Sequence, residues 1–327
     1  MYFWAKSPDV KALIIGSGGQ IGTELAKALR DKYGQENLIT SDINENPIEP
    51  NFYTVDATDK KAVEKLIVQE QVDEIYLMAA ILSAKAEQFP MRAWQINMNI
   101  LFNLLELFKE GLFKKLFWPS SIAVFGPHTP KIQTPQYTVT DPNSVYGISK
   151  LAGERWVEYY FLKHGLDIRS LRYPGVISWK VQPGGGTTDY AIEMFHYALR
   201  GEKFVSYINR DEPLPMIYID DAIKATLQLM DAPSKNLTVR SSYNLAGVSF
   251  TPGELAEAIR KYIPEFEVEY RPDFRQKIAR SWPDSIDDSY ARKDWNWQHE
   301  FDLDAIVKEM LTNLQSHFYQ DYDLSIK

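Results

Sequence analysis

The strongest constraint on this chain is the regular alternation of short apolar runs with helix-period stretches through its first half. Residues 10–15 (V-K-A-L-I-I) read as a buried strand, and 20–33 as the helix that follows. Strands are expected at 37–41 and 52–56, a helix at 62–69 and a fourth strand at 74–78. A helix within 93–109 precedes a fifth strand at 115–118. A long helix from about 144 to 164 then precedes a strand at 168–172. Apolar strands joined through helices need right-handed crossovers, so the expected fold class is α/β, a doubly wound parallel sheet covered on both faces. Ligands on such a sheet sit beyond the carboxyl ends of the strands, where the winding direction switches.

Beyond residue 178 the pattern changes. Pro183-Gly184-Gly185-Gly186 is a turn-rich break, 187–200 reads as a helix, and 216–219 with 220–230 forms one more strand–helix pair. A helix over 251–262 opens with Thr251 as cap, Pro252 at its first position and Glu254 three residues after the cap. The expected organisation is a main domain, 1–178 plus about 216–248, and a smaller C-terminal substrate-binding part, 179–215 plus 249–327.

Composition narrows the partners. Apolar residues make up 45% of the 327, enough for a substantial core, while 36 basic against 44 acidic residues leave a net charge of -8. That balance is wrong for a nucleic acid partner. The longest wholly apolar run, 75–82, is far short of the roughly 20 residues that span a bilayer. There is no cysteine, which removes disulfides, thiolate catalysis and cysteine-ligated metal. The histidines share no metal-ligand spacing, so no metal is expected. The residues before Val10 are too few for a signal peptide. A cytoplasmic location is expected, with a mitochondrial matrix form that has lost its presequence as the alternative.

Gly16-Ser17-Gly18-Gly19-Gln20-Ile21-Gly22 follows the first strand and opens a helix. Glycine lets backbone N–H groups approach a pyrophosphate, and the helix N-terminus favours its charge. Alone, the loop is equally well an ordinary strand–helix turn. Asp42, however, ends the second strand about 20 residues later, the spacing expected of a carboxylate that binds ribose hydroxyls and repels a 2′-phosphate. Together they predict a Rossmann-type NAD site in preference to NADP. Asp56 and Ala57 at the end of the third strand face the adenine in this reading, although Asp56 also suits a helix-initiating turn. Met78, Ala79 and Ala80 end the fourth strand, where small residues let the backbone pass beside the cofactor.

Tyr146 and Lys150 stand four residues apart, on one face of a helix. A tyrosine hydroxyl titrates near 10, too high for efficient base work at neutrality, and a neighbouring ammonium lowers it. Ser120 and Ser121, just past the fifth strand, are placed to bond a substrate oxygen. Tyr and Lys at this spacing also occur as plain surface pairs; what favours chemistry is their order after the loop and the serines. Asn97 or Asn99 is a candidate to support Lys150 through water, or simply a helix-surface amide.

The glycine loop, Ser-Ser and Tyr-x-x-x-Lys resemble the extended short-chain dehydrogenase/reductase family. Four longer stretches are similar to its branch of NAD-dependent L-threonine 3-dehydrogenases: 117–126 (F-W-P-S-S-I-A-V-F-G), 173–179 (Y-P-G-V-I-S-W), 183–190 (P-G-G-G-T-T-D-Y) and 273–288 (D-F-R-Q-K-I-A-R-S-W-P-D-S-I-D-D). The resemblance implies oxidation of the L-threonine 3-hydroxyl to 2-amino-3-oxobutanoate. Tyr146 would be the base, Lys150 would lower its pKa and hold the nicotinamide ribose, Ser121 would position the hydroxyl, and Val176 would add to the cofactor site. Asp189 would face the substrate ammonium, Ser83 and Thr187 the carboxylate, and Trp282 would close the site. Purely structural roles compete: Thr187–Asp189 as a helix cap and Trp282 as core filling.

A nucleotide-sugar epimerase on the same scaffold is the alternative, with Arg271, Arg275, Arg280 and Arg292 available for a diphosphate. A dehydratase is disfavoured, since Ser121-Ile122-Ala123 stands where it needs Thr-Asp-Glu. A relative that binds dinucleotide without turnover is disfavoured because both Tyr146 and Lys150 are present. A homodimer is expected through two helices, one carrying Ile100, Leu101, Leu104, Leu105 and Phe108, the other Leu151, Trp156, Tyr159, Tyr160 and Leu162. Gly184–Gly186 is expected to act as a hinge for closure over substrate.

Overall fold

The computed structural model describes residues 10–46, 49–180 and 186–318. Its first half runs β1 (Ala12–Ile15), α1 (Gln20–Tyr33), β2 (Leu38–Asp42), β3 (Phe52–Thr54), α2 (Lys60–Glu70), β4 (Glu74–Leu77), α3 (Ser83–Gln88), α4 (Pro90–Lys109), β5 (Lys115–Phe117), β6 (Ser120–Ser121), α5 (Val145–His164), β7 (Ile168–Arg169), β8 (Leu171–Tyr173) and β9 (Gly175–Ile177). The second half continues with α6 (Tyr190–Leu199), β10 (Phe204–Ser206), β11 (Leu214–Tyr218), α7 (Ile219–Asp231), β12 (Tyr243–Asn244), β13 (Val248–Phe250), α8 (Pro252–Arg260), β14 (Val268–Tyr270), α9 (Phe274–Ala279), α10 (Ser289–Trp295) and α11 (Leu303–Phe318).

Six strands form the central sheet in the order β3-β2-β1-β4-β5-β7, every pair parallel. Winding outward from β1 in both directions creates the crevice at the carboxyl ends of β1 and β4. Alternation along β1 builds the two layers. Ala12 and Ile14 enter a core with α1 and the C-terminal elements, while Leu13 and Ile15 enter one with α2, α4 and α5. The first core runs without a break into the C-terminal half, where it holds Trp282, Trp295 and Trp297.

The expected strand at 168–172 is divided at Ser170 into β7 and β8, and two further breaks, between β5 and β6 and between β8 and β9, fall at proline. Pro119 and Pro174 have no N–H for a ladder. At each the chain leaves one sheet and joins the next: β6 and β8 pair in a small sheet with β12, and β9 pairs with β11. The capping box at Thr251 is present, with the Glu254 N–H donating to Thr251 Oγ1 (3.1 Å) and the Thr251 N–H to Glu254 Oε2 (2.7 Å). The helix expected from 187 starts later, at Tyr190, because Thr187–Asp189 form a turn. Three residues of the glycine-rich break, Pro183–Gly185, lie outside the described residues. Among the described residues no helix is long and apolar enough to cross a membrane.

Candidate active site

The glycine loop lies across the carboxyl end of β1. Gly16 has φ +91°, and a Cβ there would stand 2.4 Å from the Ala79 nitrogen; a Cβ on Gly22 would stand 2.3 Å from the Gly16 carbonyl. Loop, helix and the end of β4 therefore close on one another only through glycine. The N-terminus of α1 has no side-chain cap and no acidic residue in its first turn. At Gly19 a side chain would meet only the Gly16 carbonyl, at 3.7 Å. An open helix start without a side-chain cap suits a diphosphate.

Asp42 closes the loop from the side. Its Oδ2 accepts the Gly18 N–H (3.0 Å) and its Oδ1 the Asn44 N–H (3.1 Å), which leaves acceptor capacity for ribose hydroxyls. Exposed Asp56 folds onto Thr58, accepting from its N–H (2.9 Å) and hydroxyl (2.7 Å), while Asp59 is the actual cap of α2. Asn103 of α4 donates to the Ala57 carbonyl at 3.0 Å. The Met78–Ala80 turn runs into Ile81, whose backbone is held both ways by Asn97 (2.8 and 3.0 Å). Gln20 reaches the Val176 carbonyl at 3.5 Å. Gly16 thus meets Ala79, Gly18 meets Asp42, and Gln20 meets Val176.

Helix α5 supplies the second group. A Cβ on Gly147 would stand 2.1 Å from the Ala123 carbonyl, and one on Gly153 2.4 Å from the Trp118 ring. The helix can lie this close to the 118–123 segment only with glycine at both positions. The contact brings Tyr146 into a hydrogen bond with Ser121. The Ala123 N–H donates to Ser121 Oγ (3.2 Å), which frees the serine hydrogen to be donated onward. Lys150 is buried and donates to the Pro119 carbonyl (2.5 Å), with Nζ 4.7 Å from the Trp118 ring centroid and 5.5 Å from that of Tyr146.

Burial pushes the Tyr146 hydroxyl up to about 12, opposed by the Ser121 bond. Burial also pulls the lysine down to about 7 against the opposing charge of Glu154. One of the ammonium's three donors goes to the Pro119 carbonyl. Asn97 and Lys150 line a cavity of about 10 Å³, but the Asn97 amide is committed to Ile81; Asn99 is exposed.

The expected substrate residues are placed unevenly. Ser83 begins α3 and is half-buried. Thr187 is buried, and Thr188 packs where a Cβ on Gly175 would come within 2.8 Å of it, beside Val176. Asp189 accepts the Gly186 N–H (2.8 Å) and forms no ion pair among the described residues. Burial, then the charge of Asp189, raises the neighbouring Glu193 carboxyl above its ordinary range. Trp282 is 7% exposed within the core, its carbonyl taken by Lys131 Nζ at 2.5 Å. Sequence reasoning passed over Pro119, Trp118, Glu154 and the two helix glycines. Glycine inside a helical pattern was the available signal for close packing.

The fold is that of the Rossmann-type dinucleotide enzymes. Residues 12–246 match the NAD dependent epimerase/dehydratase family. The chain belongs to that family, and NAD is its cofactor. A solved GalE-like L-threonine dehydrogenase from Cupriavidus necator, in its holo form, is 51% identical, with a TM-score of 0.91 over 93% of this chain and 99% of that one. The mitochondrial L-threonine 3-dehydrogenase of Bos taurus is 43% identical over 94% of this chain and 83% of its own. A solved L-threonine 3-dehydrogenase from a metagenome, described as monomeric, is 46% identical, with a TM-score of 0.90 over 93% of this chain and 99% of that one.

Proposed function

We propose that this chain oxidises the 3-hydroxyl of L-threonine to 2-amino-3-oxobutanoate with NAD, and that Ser121, Tyr146 and Lys150 carry the reaction. The observation that carries this reading is the close approach of α5 to the 118–123 segment, which joins Tyr146 to Ser121 and Lys150 to Pro119. It occurs in a chain whose relatives named as threonine dehydrogenases match it over nearly its whole length.

The open glycine loop and α1 N-terminus would hold the diphosphate, Asp42 the adenosine ribose and Lys150 the nicotinamide ribose. When bound, the cofactor supplies an acceptor for the hydride that leaves C3. Tyr146, as phenolate, takes the hydroxyl proton as that carbon is oxidised, while Ser121 donates to the same oxygen and fixes its place. Asp189 offers the substrate ammonium a carboxylate with no ion pair among the described residues, beside the carboxyl of Glu193. The exposed apolar side chains of α5 support assembly as a homodimer.

The test is a panel of initial rates with L-threonine and other 3-hydroxy amino acids, read as reduced-cofactor absorbance, and with UDP-sugars, read as the epimerised sugar by chromatography because epimerisation leaves no net reduced cofactor. Turnover with threonine and none with UDP-sugars is expected. Turnover of a UDP-sugar alone would overturn the assignment.

A further inference from the structure

Three residues on one face of α5, spaced by four, grip three consecutive residues of the strand opposite. Tyr146 meets Ser121, Lys150 meets the Pro119 carbonyl (2.5 Å), and Glu154 accepts the Ser120 hydroxyl (2.6 Å). Only the first two belong to the site described above. Glu154 has no solvent exposure, and its two carboxylate oxygens take Arg172 Nε (2.9 Å) and Nη2 (2.7 Å). Arg172 also donates from Nη1 to the Gln136 carbonyl and to Asn244 Oδ1, both at 3.0 Å. Asn244 in turn donates to the carbonyls of Thr134 and Asp287, each at 3.0 Å. The carboxylate is thus fixed from β6, from β8 and, through Asn244, from the segment that follows Trp282.

We propose that Glu154 is a positioning residue for the oxidation, a fixed buried negative charge one turn beyond Lys150 that keeps the lysine an ammonium and orients the Ser120–Ser121 pair. A buried ion pair serves stability no better than well-packed apolar residues would. Its place, one turn from a buried lysine, gives this charge a use. With Ser120 bound to Glu154 and Ser121 to Tyr146, one helix holds the two neighbouring hydroxyls in place. Among the described residues, the groups facing Lys150 include no second source of negative charge. Its own helix offers Tyr146 and Glu154. Trp118 and the Pro119 carbonyl face it from the strand side, Asn97 and Met98 from α4, and Ala79 and Ala80 from the end of β4. Arg172 lies behind Glu154. Burial lowers the lysine, and Glu154 is the one group that opposes it.

The proposal rests on Tyr146 and Lys150 acting as base and partner, so its test is read without substrate. Lysine labelled with carbon-13 at Cε, with the Lys150 signal assigned by Lys150→Arg, reports the lysine titration in the full-length protein. In Glu154→Gln the Lys150 midpoint should fall by on the order of one pH unit, because burial then acts unopposed. Glu154→Asp should restore most of it, and Ser120→Ala should leave it in place. The rising limb of kcat/KM against pH for threonine should move upward in Glu154→Gln, since a neutral lysine no longer helps Tyr146 lose its proton. A folded Glu154→Gln whose Lys150 titrates as in the parent protein would overturn the proposal. If Glu154→Gln does not fold, Glu154→Gln/Arg172→Gln removes both buried charges and is read in the same way. A normal lysine shift with no threonine turnover would count against the substrate assignment and not against the role of Glu154.

Discussion

Tyr146 sets the problem at the scale of a single residue, because burial moves its hydroxyl away from the form that can take a proton. With the hydroxyl pushed up to about 12, the phenolate fraction grows with pH over the whole neutral and mildly alkaline range. Turnover should therefore rise from pH 7 toward pH 10, and a rate independent of pH there would remove Tyr146 as base. Tyr146→Phe keeps the ring and loses the acceptor; turnover should fall by roughly 10²–10⁴-fold. NAD affinity, measured by calorimetry, should barely change. Asp42 makes a different claim, about selection. Among the described residues its carboxylate bonds only backbone N–H groups, so Asp42→Ala should weaken NAD binding and narrow the preference over NADP. A parent protein that uses both cofactors equally would contradict that role. Asp189→Asn should raise the KM for threonine while leaving NAD binding alone, since it removes a charge that has no cationic partner among the described residues.

At the scale of the element, α5 decides whether these residues meet. Alanine normally favours a helix over glycine by about 1 kcal/mol. At Gly147 and Gly153 the added Cβ would stand 2.1 Å from a carbonyl and 2.4 Å from an indole ring. Overpacking of this kind costs about 1–3 kcal/mol, so the clash wins over propensity. Both Gly147→Ala and Gly153→Ala should lower Tm, and Gly147→Ala should also lose turnover, because it moves Tyr146 relative to Ser121. A Gly147→Ala protein with a raised Tm and unchanged kcat would show that the close approach is not needed. The central strands, α1, α5 and the Thr251 cap were legible because apolar period and cap chemistry are local signals. The break between β8 and β9 at Pro174 was less so: proline was visible, but the partner strand it leads to, β11, comes about forty residues later. The site divides in the same way. Loop, Asp42, Tyr146 and Lys150 were found by spacing along the chain. The grip of α5 on Pro119 and Ser120 depends on which strand faces the helix, which spacing alone does not contain.

At the scale of the whole molecule, the outer face of α5 carries large apolar side chains that the described residues leave uncovered. The α4 residues expected at a subunit contact, Ile100, Leu101, Leu104, Leu105 and Phe108, are at most 6% exposed and fill the core beneath the sheet, so they have nothing left for a partner. On α5 Tyr160 is also buried, but Ile148, Trp156, Tyr159 and Leu162 are 46%, 40%, 46% and 71% exposed. Trp156 stands edge-on to Phe102 of α4, ring centroids 5.1 Å apart, and to Tyr159, 5.7 Å apart. The patch is therefore ordered and aromatic, the composition that interface cores favour. A self-complementary face on one long helix is satisfied most simply by a two-fold axis. One relative of similar length is described as monomeric, so descent alone does not decide the matter, and the exposed side chains carry the argument. Light scattering at micromolar concentration should return twice the mass of the 37.7 kDa chain, and Trp156→Glu should return the chain mass. That variant should keep its threonine turnover if the dimer only covers apolar surface. It should lose turnover if pairing also steadies α5 and, with it, the hold of Tyr146 on Ser121. A parent protein that scatters as a single chain would refute the dimer and leave the Trp156 face open to water.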